Sequence, residues 1–427
     1  MSLMKSARPA PKTRVCLLFA VLICLLFPPG PVPARDLQAQ GTEVITLNEW
    51  LTLRGAGGGG REAGGATSAD PTAGEIVSGK WTAPKEGDTV TMRNGDKRVW
   101  TKVVAGKEGE SGGGRGFGGA YSCFSLQSDK EKVVLLVAPG CSMVYVNGEP
   151  RTGDVYAYGN MPIPILLKKG RNDLLFTGGR GGLKVQVLTP RASALLVTSE
   201  QTTPDLIIGE NGEYSAAVLV VNASTRPLPT ARIVARPADD APELIAKGFE
   251  SSTTSSLPSI PPLSIRKVPY QIKALSLNAP GKVKMQLDLE LMPLGTWVPT
   301  DSDTIEFEIV RPDQPHKRTF TSAIDGALQY YAVQPAHPLG IETERPALVL
   351  SVHGAGVEAI GQARAYSPKS WAHIVAPTNR RPYGYDWEDW GRMDAMEVLH
   401  PASEGISGLS RGGPDPDRRS ARRCGMG

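Results

Sequence analysis

Two short glycine-bearing strings contain residues whose types and spacing could carry acyl-transfer chemistry. The first is Val352-His353-Gly354-Ala355-Gly356, which follows the apolar run 345–351. A strand ending in His-Gly-x-Gly lets backbone N–H groups approach a developing oxyanion with no side chain in the way. An ordinary strand-to-loop turn can use the same glycines. The second is Gly408-Leu409-Ser410-Arg411-Gly412, the Gly-x-Ser-x-Gly spacing of a nucleophile elbow with Ser410 as nucleophile. An elbow needs an apolar strand before it and a helix after it. Residues 400–407 supply no apolar run, and Pro414 and Pro416 oppose a helix. All five histidines, His316, His337, His353, His373 and His400, precede Ser410, so no general base follows it in the chain. The alternative is an isolated serine in an unstructured tail.

Other groups admit a binding role. Trp50, Trp81 and Trp100 could stack on a sugar ring or fill a core. Cys123 and Cys141 lie in one β-rich stretch and could pair after export, although two cysteines are not a framework. No CxxC or His-rich zinc spacing occurs, so no metal and no cofactor are expected. The glycine run 55–65 lacks the Gly-Lys-Ser/Thr ending of a phosphate loop. RGFGG (115–119) and GGRGG (178–182) read as turns more readily than as RNA-binding pieces. Asp386, Glu388 and Asp389 read as an acid pair or as solvated carboxylates at a helix start. Asn222-Ala223-Ser224 is a glycosylation sequon, relevant where the host glycosylates exported proteins.

The elements that must position these groups are mostly short strands. The chain has 427 residues, 48 Gly and 36 Pro, a composition of many turns. Residues 1–34 carry Lys5, Arg8, Lys12 and Arg14, then the apolar run 15–27, then small residues around Val32 and Ala34. That is a secretory signal; an uncleaved anchor is the rival reading. The chain is thus expected to be secreted, periplasmic or at the cell surface, with no stable membrane span after cleavage. Four basic residues leave with the signal, so the formal charge of +4 becomes 4 − 4 = 0. No basic cluster remains to suggest a nucleic-acid partner.

Residues 41–190 read as a jelly roll, with strands at 98–106, 132–139, 143–149 and 183–189 and a hairpin turn at Asn147–Gly148. Residues 191–312 read as an immunoglobulin-like sandwich. There Val283, Met285, Leu287, Leu289 and Leu291 alternate with polar residues, as do Ile305, Phe307 and Ile309. From 313 the pattern changes. A hairpin turns at Asp325–Gly326, strands lie in 345–356 and 371–382, and a helix over 386–399 carries Trp387, Trp390, Met393, Met396 and Leu399 as an apolar stripe. Residues 400–427 read as a disordered or frame-shifted tail. The expected fold class is mainly β, two β-sandwich domains, followed by an incomplete α/β-hydrolase-like domain over 313–399.

From Arg318 to Leu399 the chain resembles secreted prolyl-oligopeptidase-like serine hydrolases. The resemblance rests on the Asp325–Gly326 hairpin and on the strings 348–356, 375–387 and 389–399. The stretch 144–176 resembles a galactose-binding-like β-sandwich. The first resemblance implies a peptidase or esterase whose oxyanion hole is His353, Gly354, Ala355 and Gly356, with His353 positioning the loop. A peptide, ester or glycan substrate is then expected. Because the nucleophile is unconvincing and the final His is absent, the chain as written is expected to be inactive. Residues 313–427 give 115 residues where about 200 or more are wanted, which suggests a shortened product, a frame error after 399 or a fragment. The alternative is a carbohydrate- or cell-surface-binding β-sandwich protein.

Overall fold

The computed structural model describes residues 41–54, 71–92, 95–104, 120–154, 161–177, 184–240, 248–337, 346–380 and 387–406. Of these, 53% are strand and 10% helix.

The first unit runs through β1 (Gly41–Leu47), β2 (Glu49–Arg54), α1 (Pro71–Val77), β3 (Thr89–Thr91), β4 (Lys97–Val99), β5 (Thr101–Val104) and β6 (Ala120–Ser128). It continues through β7 (Lys132–Val137), β8 (Met143–Val146), β9 (Glu149–Thr152), β10 (Ile163–Leu167), β11 (Gly170–Thr177) and β12 (Val185–Pro190). A four-stranded sheet, β1-β12-β7-β10, faces a six-stranded one, β5-β2-β6-β11-β8-β9. Trp50, Phe124, Leu136, Val144, Ile165, Phe176 and Val187 fill the space between them. Both sheets also bury their outer faces. Leu53, Trp100, Tyr121, Cys123 and Leu175 form a separate outer cluster, joined by Trp81. The run Lys132–Val137 therefore reads as continuous apolar sequence, because alternate residues enter different cores. The β8–β9 hairpin turns on Asn147 (φ 51°) and Gly148 (φ 90°), the left-handed pair that a two-residue type I′ turn demands.

The second unit contains β13 (Ala194–Thr202), β14 (Leu206–Ile207), β15 (Gly212–Asn222), β16 (Thr230–Pro237), β17 (Thr253–Ser256), β18 (Ser264–Ala274), β19 (Gly281–Met292) and β20 (Val298–Val310). Sheets β13-β15-β18 and β14-β20-β19-β16-β17 enclose a second core around Val218, Val220, Tyr270, Leu287, Leu289 and Phe307. Along β19 the buried residues are Val283, Met285, Leu287, Leu289 and Leu291, the alternation expected of a half-buried strand. The outer face of β13–β15, through Leu195, Val197, Leu219 and Val221, packs on Leu135, Val137 and Leu188 of the first unit.

The last unit is a four-stranded sheet, β21 (His316–Thr321), β22 (Leu328–Gln334), β24 (Ala372–Ala376) and β23 (Ala347–Leu350), in that spatial order. Only β23–β24 is parallel within it. Helix α2 (Ala359–Arg364) covers one face through Ala359 and Ala363. After α3 (Asp389–Glu397), helix α4 (Leu399–Gly405) covers the other through Ala402.

Several expectations are corrected here. The molecule is nearly all β, and the segment from 313 does not form an α/β-hydrolase-like domain. It supplies one small mixed sheet with helices of 6, 9 and 7 residues. The helix near 386–399 turns the opposite way from the expected stripe. Gly391, Asp394 and Ala395 are buried, whereas Trp390, Met393 and Met396 are 51%, 47% and 43% exposed. The inward position is taken by Asp394 because a buried cation lies beneath it, as described below. The expected tail begins with α4, so 400–406 is ordered against the sheet through Ala402 and Ile406. Cys123 and Cys141 are both free and buried. They lie in different clusters on opposite faces of the six-stranded sheet, so no disulfide joins them.

Candidate functional site

Of the two strings singled out in the sequence, the described residues contain Val352–Gly356, and they build it into a turn. His353 follows β23 and is 4% exposed. Its Nδ1 lies 3.0 Å from the Gly354 carbonyl oxygen and its Nε2 3.2 Å from that of Thr378. The Trp387 indole N–H donates to the His353 carbonyl at 2.8 Å, with its ring edge-on to the imidazole. With both ring nitrogens against carbonyls, His353 clamps the loops after β23 and β24 together. Gly354, Ala355 and Gly356 form a turn closed by Val357 N–H to Gly354 O at 3.2 Å, with Gly356 at φ 81°. The neighbouring Ser351 hydroxyl is engaged by the Tyr366 hydroxyl and by the Gln362 amide. Ser410 and the string 408–412 lie outside the described residues, as do 1–34, 55–65, 115–119, 178–182, Asp386 and Cys424.

The tryptophans also take the core reading. Trp50 stacks on Phe124 at 5.3 Å inside the first sandwich, and Trp100 is buried on its outer face. Asn222 is fully buried, and its side-chain amide donates to the carbonyls of Arg226, Ile260 and Pro261. In the folded chain it is a structural latch, closed to glycosylation.

Two polar arrangements emerge that the sequence did not mark. The first surrounds Arg380, in the turn after β24, where Asn379 (φ 54°) and Arg380 (φ 63°) are both left-handed. The Arg380 guanidinium meets Asp394 at 3.1 Å, Asp325 at 3.4 Å and Glu397 at 3.5 Å, and donates to the Ser322 hydroxyl. Glu397 also accepts from Ser322 and from the Ala323 N–H. Burial, offset by Arg380, raises the Asp394 pKa. The bound charge partners fill this cluster, so it holds the α3 end to the β21–β22 turn.

The second arrangement is open. A cleft of about 240 Å³ lies where the second unit meets the last sheet. Eight of its ten lining residues are polar: Asp205, Glu210, Asn211, Glu213, Tyr214, Ser215, Arg318 and Thr319. Its floor is fixed by pairs that cross the junction. Lys317 N–H donates to Asp205 at 2.8 Å, and its ammonium lies 3.4 Å from the same carboxylate. Arg318 pairs with Glu210, and Thr319 donates to the Ser215 carbonyl at 2.8 Å. The Tyr214 hydroxyl donates to Glu210 O at 3.2 Å. Burial, the leading cause, raises the Asp205 and Tyr214 pKa values. Asn211 and Glu213 stand exposed at the rim. A rigid floor with an exposed amide and carboxylate, beside a guanidinium, offers donors and acceptors together. That suits a neutral ligand with many hydroxyls. Among the described residues no group of His, Cys, Asp or Glu could hold a metal ion, and no helix is long and apolar enough to cross a membrane.

No protein-family model matches the chain, and no curated protein matches it. Solved structures do. One is a calcium-binding mutant of Bacteroides uniformis β-glucuronidase 2, at 11% identity and TM-score 0.30, over 73% of this chain and 40% of that one. Another is a putative β-galactosidase from Bacteroides fragilis, at 12% identity and TM-score 0.31, over 76% and 46%. A third is an Amycolatopsis orientalis exo-chitosanase, at 13% identity and TM-score 0.29, over 75% and 42%. The chain spans less than half the length of these structures. All three carry the names of glycoside hydrolases. The expected prolyl-oligopeptidase-like peptidase or esterase is corrected by the fold, since the described residues are nearly all β and form no α/β-hydrolase domain; residues 353–356, its expected oxyanion hole, are held as a turn, and its expected nucleophile Ser410 lies outside the described residues.

Proposed function

We propose that this is a carbohydrate-binding β-sandwich protein that takes a neutral, polyhydroxylated ligand in the cleft between β14–β15 and β21. The observation that carries the reading is the cleft's lining: eight polar side chains of ten, several already locked to one another. Preorganised polar groups bind hydroxyls without the ordering cost that a flexible surface incurs. Sugar hydroxyls both donate and accept, and Asn211, Glu213 and Arg318 present both functions. Export, expected from residues 1–34, would place the protein among extracellular glycans.

The test is titration of the full chain with the neutral oligosaccharide that a glycan panel selects. Asn211→Ala and Glu213→Ala, both rim substitutions, are each expected to weaken binding about tenfold, the worth of about 1.4 kcal/mol. Unchanged affinity in both variants would remove the cleft from the account.

A further inference from the structure

The first sandwich has an open side, where the edge strands β9 and β10 of its two sheets diverge. A pocket of about 100 Å³ sits in that gap. Val146, Ile165 and Leu166 form apolar walls, and Arg151 and Lys168 bring two cations to it. The pocket is closed from the second unit by Leu263, in the segment that leads into β18.

Three features of this pocket point to a ligand. The Arg151 Nε is buried and has no hydrogen-bond partner. Of the rest of that guanidinium, one nitrogen donates to Pro150 O and another lies 3.9 Å from Glu149, whose side chain is 75% exposed. Lys168 is exposed and uses its backbone N–H on Asn172, which leaves the ammonium for solvent or a ligand. Leu263 has φ 48°, a left-handed conformation that a bulky aliphatic residue rarely adopts. Its N–H donates to Ser224 O, and the adjoining Ser264 and Asn222 bonds to Pro261 O fix the loop. Backbone strain that the surroundings enforce gathers at ligand clamps.

We propose that this pocket is a binding site for a small organic oxyanion, a carboxylate or sulfate ester carried on a group with an apolar edge. Two cations against one exposed carboxylate leave the pocket net positive. The free Arg151 N–H supplies a directed donor, and charge-assisted hydrogen bonds to oxyanions are the strong ones. The volume admits one anionic head with its adjoining carbons and not a drug-sized ligand, for which sites begin near about 300 Å³. Asn147 takes no direct part. Its amide and carbonyl are already bound to Asn172 and Asp173, which holds the β8–β9 turn in place above the pocket.

The experiment is calorimetric or NMR titration of the full chain with glucuronate, glucose and inorganic sulfate at low and high salt. Glucuronate is expected to bind saturably, glucose not to bind this site, and sulfate to bind at least tenfold more weakly than glucuronate. Lys168→Ala and Arg151→Gln are each expected to weaken glucuronate about tenfold, and raising the salt to weaken it further. Lys168 is exposed, so Lys168→Ala keeps the test valid if Arg151→Gln impairs folding. Asn211→Ala, in the separate cleft, is expected to leave glucuronate binding unchanged. Glucose binding that Lys168→Ala weakens as much as it weakens glucuronate, equal binding of sulfate and glucuronate, no binding of any probe, or full glucuronate affinity in Lys168→Ala would each overturn the proposal.

Discussion

His316 shows how one buried side chain contributes to the acid response of the molecule. It sits at the start of β21 with Nδ1–H toward Gln314 O at 2.8 Å, and Nε2 accepts from Arg318 at 3.2 Å. Burial, with Arg318 and His373 adding to it, lowers its pKa from 6.5 to about 4. His373 is lowered too, by burial. The unfolded chain therefore binds protons near pH 6.5 that the folded chain refuses until about pH 4. The stability tied to His316 is fully present above about pH 7, falls as pH drops through that window, and is lost below it. A shift of this size corresponds to about 3 kcal/mol for His316 alone. Urea denaturation at pH 7, 5.5 and 4.5 should show that slope, and His316→Gln should flatten it. An unchanged slope in the variant would assign the acid response elsewhere. Asn222 makes a second residue-scale prediction. Asn222→Ala leaves three carbonyls short of a donor and should cost about 1–3 kcal/mol by the same assay. The sequon at 222–224 marks the residue, but only the fold shows that its amide is consumed within the loop.

At the scale of elements, legibility followed how local the determinants are. The alternation in 282–291 identifies a half-buried strand because period two is a property of the strand itself. The turn at Asn147–Gly148 is readable because few residues adopt left-handed φ. Helix α3 is different. Its apolar residues at Trp390, Met393 and Met396 define a stripe, yet α3 turns Asp394 inward. The reason is Arg380, which a left-handed turn places beneath the helix and which pairs there with Asp394, Glu397 and Asp325. Nothing in residues 386–399 announces a cation brought from the preceding loop. Arg380→Ala should strand Asp394 and Glu397 in a buried site and cost about 3–5 kcal/mol. Arg380→Lys should recover only part of it, since an ammonium cannot span the same partners. Denaturation midpoints of the two variants check both statements. Equal stability of wild type and Arg380→Ala would mean that the cluster does not organise the helix.

At the scale of the whole molecule, the first two units share a hydrophobic seam and the second and third share a polar one. Leu188 is fully buried between the four-stranded sheet and β13–β15, so Leu188→Ala should cost about 2–5 kcal/mol. The polar junction, in contrast, opens into the cleft. Its residues come from 204–215 and 318–319, and the Arg318–Glu210 pair joins positions 108 apart in the chain. No sequence window contains both sides, which is why motif reading found the glycine strings instead. The string 352–356 folds into a turn held by His353, a structural use of the residues that an oxyanion loop would need. The proposed recognition site lies at a junction between β units, and its lining includes no residue of the 352–356 string. The most direct test of that claim is a panel of neutral and acidic glycans presented to the full chain, with Asn211→Ala and Glu213→Ala in parallel. Saturable binding of a neutral glycan that both substitutions weaken about tenfold is the predicted result. No binding across the panel, or binding indifferent to both substitutions, would contradict it.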